Sequence, residues 1–299
     1  MSDPVDVSIV LPVYNERGHL RAEIDRIRAT MDASDYTYEI ICVDDGSSDG
    51  SGEEMQSIEG ITAIRFARNR GSGSARKAGT RAARGRVVVW TDVDMTYPND
   101  EIPRLLKELD GFDQVVGART SEQGTHRWAR GPAKWLIRRL ASYLVQTPIP
   151  DLNSGFRAFR REVGAQFLPH LPAGFSCVTT MTMSFLASGY SVKHIPIDYA
   201  PRAGESKFHW WNDTKRYLRQ VIRLVMSYEP LRFFLPLGLV LSAIGLGKLA
   251  YDWVDKDFHL ATNTLLIMFA ALQTFTIGFV ADLVVHRTKP ADEVDPASL

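Results

Sequence analysis

The chain has 299 residues, with 35 lysines and arginines against 35 aspartates and glutamates, a formal net charge of zero. Hydrophobic residues make up 45% and charged residues 23%, which excludes a disordered, collagen-like or disulfide-scaffold protein and suits one large domain or two smaller ones. Neutrality would argue against a polyanionic partner only if the charges were evenly spread, and they are not.

Up to about residue 200 the chain alternates strand and helix signals. Val7 to Val13 is a continuous apolar run predicting a strand that ends at Tyr14-Asn15-Glu16. Leu20, Ile24, Ile27 and Met31 then recur at helical spacing. Tyr38 to Val43 predicts a second strand, closed by Asp44-Asp45-Gly46-Ser47, and Ile61 to Phe66 a third. Ala75 to Ala83 reads as a helix, Arg86 to Thr91 as a fourth strand, Ile102 to Leu109 as a helix and Asp113 to Gly117 as a fifth strand. Continuous Val/Ile strands between helices indicate an α/β fold whose mostly parallel sheet is covered on both faces. Cys42 lies in an apolar strand, and Cys42 and Cys177 are too far apart for a metal or redox motif, so both read as free buried thiols in a reducing compartment. Met1 to Asp6 offers neither a basic nor an apolar signal region, which predicts a cytosolic location for this part of the chain.

Further on, the charges separate. From Arg119 to Arg161 nine basic residues face only Glu122 and Asp151. Trp128, Trp135, Leu136, Ile137, Leu140, Tyr143 and Leu144 interleave them, predicting an amphipathic interfacial helix over about 126–146. His209 to Tyr228 repeats the pattern, so 209–230 reads as a juxtamembrane helix. Phe233 to Gly247 is uncharged and, extended to Tyr251, approaches the length of a bilayer span; Ala261 to Ala281 is a second such stretch. Between them Asp252, Asp255 and Asp257 face Lys256, whereas Arg219, Arg223, Arg232, Arg287 and Lys289 flank the outer ends. The positive-inside rule puts those flanks and a 287–299 tail in the cytosol and the linker outside. Basic patches also suit nucleic acid, but two adjacent spans favour a lipid bilayer, so no nucleic-acid partner is expected.

In a parallel sheet the ligand sits beyond the carboxyl ends of the strands. Here those ends carry Tyr14, Asn15 and Glu16, then Asp44 and Asp45, then Arg68 and Asn69, then Asp92 and Asp94. The dinucleotide fingerprint is absent after the first strand, Gly71-Ser72-Gly73-Ser74-Ala75 lacks its third glycine, and no P-loop occurs. Asp92-Val93-Asp94 remains as a carboxylate pair able to hold a divalent cation on a leaving diphosphate.

Val10-Leu11-Pro12-Val13-Tyr14-Asn15-Glu16, Val43-Asp44-Asp45-Gly46-Ser47-Ser48-Asp49-Gly50 and Asp92-Val93-Asp94 resemble the inverting family 2 GT-A glycosyltransferases. Asp151-Leu152-Asn153-Ser154-Gly155-Phe156-Arg157 and Arg202-Ala203-Gly204-Glu205-Ser206-Lys207 resemble their polyprenyl-phosphate branch, typified by dolichol-phosphate mannose synthases and bacterial glucosyl relatives. The resemblance implies a GT-A catalytic domain over 1–208 and a membrane hairpin over 231–286. It places Pro12, Tyr14, Glu16, Asp45 and Ser47 around the nucleoside, with Asn15, Asp44 and Arg68 beside them at the strand ends. Asp92 and Asp94 would hold Mg²⁺ or Mn²⁺. Thr96 stands where the mannose synthases commonly carry Gln, which removes a third side-chain ligand. Gln123 to Trp128 lacks the spacing of the processive synthases. A homotetramer is implied for relatives of this layout, which by family analogy also favours a UDP-linked donor over GDP-mannose.

The acceptor chemistry follows from phosphate. A phosphate monoester has a second pKa near ~6 and is already an anionic nucleophile, so it needs cations rather than a base. Arg119, Arg130 and Arg202 are assigned to that phosphate, with Arg127, Ser206 and Lys207 as helpers. Asp151 reads as an orienting partner for Arg157. Transfer to a hydroxyl would instead make Asp151 a base. A membrane scaffold with a degenerate nucleotide domain is the remaining alternative, against which Asp92, Asp94, Arg202 and Lys207 stand intact.

Overall fold

In the computed structural model, which describes residues 5–120, 142, 147–174, 176–200, 222, 226, 229–255 and 261–288, two compact units divide after Gln220. The first is built around β1 (Val7–Val13), whose residues are nearly all buried because helices cover both faces. Ile9, Leu11 and Val13 pack with Leu20, Ile24, Ile27 and Met31 of α1 (Leu20–Asp32), as the helical spacing predicts. Val10 points to the opposite face.

β2 (Tyr38–Asp44) and β3 (Ile61–Arg65) pair in parallel on one side of β1, with α2 (Ser51–Gln56) between them. After α3 (Ser72–Ala82) the chain returns to the other side of β1 as β4 (Val87–Trp90), also parallel. α4 (Ile102–Lys107) leads to β5 (Gln114–Arg119), and then β6 (Arg157–Arg160) runs antiparallel between β4 and β5. α5 (Arg161–Phe167) and α6 (Cys177–Ala187) precede β7 (Val192–Ile197), the edge strand parallel to β5. The sheet order is β3-β2-β1-β4-β6-β5-β7. Five strands match the sequence expectation; α2, α5, α6, β6 and β7 are additions to it. Cys42 and Cys177 are free and fully buried, and burial pushes their thiols up to about 12 and about 11.

α3 lies close to the sheet because it is small where it touches. A methyl group at Gly79 would overlap the Val10 side chain. Thr80 Oγ1 meanwhile accepts Trp90 Nε1 at 2.9 Å. This approach sets where α3 delivers its polar side chains.

The second unit is a hairpin of α7 (Leu231–Asp255) and α8 (Thr262–Thr288). Its spans, Leu231–Val254 and Thr262–Val285, are each 24 residues long, about 36 Å at helical rise, enough to cross a bilayer. Only 11% and 17% of their apolar windows are buried, with Leu239, Val240, Leu266 and Leu272 facing outward, unlike core helices. A Cβ on Gly238 would stand 2.7 Å from the Phe275 ring, and one on Gly278 2.7 Å from Phe234 Cβ, so each glycine seats an aromatic of the other helix. One expectation is corrected here: Asp252 and Asp255 belong to α7 rather than to a linker, and Asp252 is the one that meets α8. Its carboxylate is buried and accepts Thr264 Oγ1 at 2.5 Å and Ala261 N at 3.2 Å, satisfying donors at the start of α8.

Gly79→Ala is expected to cost about 1–3 kcal/mol, as overpacking against Val10. It should appear as a lower thermal unfolding midpoint; an unchanged midpoint would show that α3 can shift freely.

Candidate active site

The topology gathers the strand ends. The chain winds outward from β1 to β3 and returns beside β1 as β4, making a switch point between β1 and β4. The antiparallel β6 starts at the same edge, with Arg157 opposite Trp90 of β4. Arg119 ends β5 there too. Residues following β1, β2, β4 and β5 and those preceding β6 therefore share one rim.

At the β1–β2 side, Asn15 adopts a left-handed turn with φ 56°. Its N–H donates to Ser47 Oγ at 3.0 Å, and its Oδ1 accepts Ser48 N at 2.9 Å. Glu16 N donates to Ser51 Oγ at 2.9 Å. Asp44 Oδ1 accepts Ser47 N at 2.9 Å, and its Oδ2 lies 3.1 Å from Arg65 Nε. Asp45 accepts Arg70 N at 2.7 Å and Gly71 N at 2.8 Å; burial nevertheless holds its carboxyl above the ordinary value. Both aspartates are buried and brace loops, whereas Tyr14 and Arg68 are exposed and Pro12, Asn15, Glu16 and Ser47 half-buried. An open cleft of about 400 Å³ is lined by Gly46, Ser47, Arg65, Phe66 and Ala67. Gly46, at φ 74°, packs so tightly that a Cβ would lie 2.6 Å from the Arg68 backbone.

At the β4 end, Asp92 Oδ1 receives Arg76 Nη2 at 2.5 Å. Arg76, from α3, is 3% exposed and sits 5.9 Å above the Trp90 ring. Asp94 Oδ1 accepts Thr96 Oγ1 at 2.5 Å and Thr96 N at 3.3 Å, so Thr96 braces Asp94. Beneath this turn Asn99 donates to Glu23 Oε1 at 2.6 Å and to Asp92 O at 3.2 Å, while Thr91 Oγ1 donates to Asn99 Oδ1 at 2.5 Å. Glu23 is fully buried, its Oε2 makes no hydrogen bond among the described residues, and burial holds its carboxyl above the ordinary value. No group of three or more His, Cys, Asp or Glu side chains converges among the described residues. Two partly exposed carboxylates on one turn still fit a hard cation that completes its shell with diphosphate oxygens and water.

At the β5 end, Arg119 grips Asp151 through Nε at 2.6 Å and Nη2 at 2.9 Å. The guanidinium also sits 5.2 Å above the Tyr199 ring. Burial works against both charges, but their mutual bonds win: the Arg119 pKa stands above and the Asp151 pKa below its usual range. This corrects the expected partner of Asp151. Arg157 is fully buried on the α6 face instead, donating to Val178 O at 2.7 Å, Thr182 Oγ1 at 2.9 Å and Ser154 O at 2.5 Å. Burial lowers its pKa to about 10, which leaves it cationic at neutral pH. Arg127, Arg130, Arg202, Ser206 and Lys207 lie outside the described residues, as do nearly all of the two amphipathic segments.

Residues 8–167, more than half of the chain, match the family described as glycosyl transferase family 2. The chain belongs to that family. Residues 229–286 match the GtrB C-terminal hairpin. An undecaprenyl-phosphate 4-deoxy-4-formamido-L-arabinose transferase of Aeromonas hydrophila is 30% identical over 93% of this chain and 88% of its own. Its counterpart from Pseudomonas fluorescens is 31% identical over 91% and 80%. Glucosyl-3-phosphoglycerate synthase from Mycobacterium tuberculosis shares the GT-A-like fold. Its complex with UDP superposes with TM-score 0.58 at 18% identity, over 74% of this chain and 80% of that one. Its complex with Mn²⁺, UDP and product gives TM-score 0.57 at 21% identity, over 75% and 80%.

Within this family 2 glycosyltransferase the sequence reading misses Arg76, Glu23 and Asn99 at the carboxylate turn. In the sequence the glycines of Gly71-Ser72-Gly73-Ser74-Ala75 figure only as an incomplete dinucleotide fingerprint. Packing is their visible use: a Cβ on Gly73 would lie 2.8 Å from Cys177 Cβ.

Arg119→Met is expected to cost about 3–5 kcal/mol by stranding the buried Asp151 carboxylate. Adding Asp151→Leu should recover most of that stability without recovering turnover. Thermal unfolding beside turnover reads both, and a fully active double variant would remove Arg119 from the chemistry. For Glu23 the folded pKa lies above the unfolded one, so its ionisation subtracts stability as pH rises through the folded value. Glu23→Gln keeps an oxygen for Asn99 and should match the wild type at about pH 4 but exceed it in unfolding midpoint at about pH 7.5. The reverse order would show that the carboxylate is held as an anion.

Proposed function

We propose that this glycosyltransferase moves a hexose or hexosamine from a nucleotide sugar to polyprenyl phosphate, at the cytosolic face of the cell membrane. One observation carries the reading: a family 2 domain and a GtrB-type apolar hairpin lie in one chain, and its relatives named as undecaprenyl-phosphate transferases align over about nine-tenths of it. Residues 1–208 form the catalytic domain, 209–230 an amphipathic helix at the headgroups, 231–286 the membrane hairpin and 287–299 a cytosolic tail.

The nucleoside of a UDP-linked donor, or of GDP-mannose, lies along Pro12, Tyr14, Asn15, Glu16, Ser47 and Arg68, with Asp44 and Asp45 shaping the loops beneath. Asp92 and Asp94 would hold Mg²⁺ or Mn²⁺, and the ion would neutralise charge gathering on the leaving diphosphate. The Mn²⁺ and UDP in the mycobacterial neighbour support that assignment only through the shared fold. The lipid phosphate attacks the anomeric carbon in line and inverts it. Arg119, Arg130 and Arg202 orient that phosphate, helped by Arg127, Ser206 and Lys207.

A hydroxyl acceptor would require a base. Asp151 is poorly suited to that task, because its carboxylate is clamped by Arg119 and its pKa is lowered. The phosphate monoester brings its own negative charge.

A panel of UDP- and GDP-sugars offered with undecaprenyl or decaprenyl phosphate, with products read by mass spectrometry, tests the reaction. A polyprenyl-phosphate sugar is expected, and Asp94→Asn should lower turnover by about a hundredfold or more. Transfer only to a hydroxyl acceptor, or full activity of Asp94→Asn, would overturn the reading.

A further inference from the structure

The carboxylate nearest the switch point already has a cation. Arg76 Nη2 lies 2.5 Å from Asp92 Oδ1, and the side chain is 3% exposed. The pair is enclosed on three sides. Trp90 lies 5.9 Å beneath the guanidinium. α3 is pressed onto the sheet behind it. Gly155 closes a third side, where a Cβ would stand 3.0 Å from both Arg76 Nη2 and Asp92 Oδ2. Arg76 Nε is buried without a hydrogen-bond partner among the described residues, so the guanidinium is committed to Asp92 rather than satisfied on all sides.

A guanidinium and a divalent cation seek the same negative charge, and at close range in a partly buried site each raises the free energy of the other. From this we propose that Arg76 is a positioning residue that keeps the Asp92–Asp94 turn weak for a divalent cation until the donor arrives. The inference rests on Asp92 and Asp94 being the metal carboxylates. Alone, a cation would gain two carboxylates at the cost of the nearby positive charge. With a nucleoside diphosphate it also gains phosphate oxygens whose negative charge outweighs Arg76. Metal and donor therefore enter together, and Arg76 keeps Asp92 aimed in the interval.

Mn²⁺ titration of the full chain in detergent, reading free Mn²⁺ by electron paramagnetic resonance, tests this without turnover. The wild type is expected to bind Mn²⁺ alone only near about 1 mM, and far more tightly with UDP or GDP. Arg76→Gln, which keeps a hydrogen-bond donor but loses the charge, should bind Mn²⁺ alone roughly tenfold more tightly. Arg76→Lys should stay with the wild type. Micromolar binding by the wild type without nucleotide, a folded Arg76→Gln that matches the wild type, or an Arg76→Lys as tight as Arg76→Gln would each overturn the inference. Should Arg76→Gln fail to unfold cooperatively, the wild-type titration still decides. Absence of Mn²⁺ binding even with nucleotide would instead remove the metal from Asp92 and Asp94, and the inference with it, while the donor panel still decides sugar transfer.

Discussion

A short strand that runs backwards organises the site. β6 pairs antiparallel with both β4 and β5, so its first residue, Arg157, stands opposite the last residue of β4, Trp90. The segment before β6 must therefore arrive at the rim where the parallel strands end. A parallel strand in that position would have delivered its preceding loop to the opposite edge of the sheet. Because of this reversal, Asp151 reaches Arg119 at the end of β5, and Gly155 closes over Asp92 at the end of β4. Tyr97 seals the junction: its hydroxyl accepts Gly155 N at 2.7 Å, and its ring stacks on Phe156 with centroids 5.9 Å apart.

The parts legible in the sequence are those whose signal is local. Runs such as Val7–Val13 and Tyr38–Asp44 are apolar almost throughout because both sheet faces are covered. The hairpin is legible for a similar reason, since a water-soluble core rarely needs two uncharged stretches of spanning length in succession. β6 is invisible by the same rule. Arg157-Ala158-Phe159-Arg160 starts and ends on arginine and offers no apolar run to mark a strand, yet Arg157 is fully buried. α6 escapes because nine of its eleven residues are buried, leaving no stripe for a helical period to reveal.

The rim residues divide along the same line. Their positions follow from where strands stop, which the sequence shows. Their partners depend on contacts between distant segments. Asp151 and Arg157 share a motif and so look like a pair, but a strand fixes side-chain direction, and β6 turns Arg157 toward α6. Arg119, 32 residues before Asp151, takes the carboxylate instead. Arg76 and Asp92 are 16 residues apart on different elements, and no spacing rule links a helix interior to a strand end. The sequence places Asp44 and Asp45 beside the nucleoside, and what it does not show is that their oxygens also hold the turn through Ser47 and the turn at Arg70 and Gly71.

These pairings give the rim a charge balance of its own. Asp44 lies against Arg65, Asp92 against Arg76 and Asp151 against Arg119. Each carboxylate is buried or partly buried and would be costly alone, so each is matched by an arginine. The balance has a consequence for the proposed chemistry. Arginines already committed to carboxylates, Arg65 to Glu53 as well as to Asp44, offer little net attraction to a nucleoside diphosphate and a lipid phosphate, which together bring several negative charges to one place. On the proposed reading, the positive charge needed beyond these pairs comes from a divalent cation at Asp92 and Asp94 and from Arg130, Arg202 and Lys207. On the proposed reading the substrates are therefore held by charge that these three pairs do not supply.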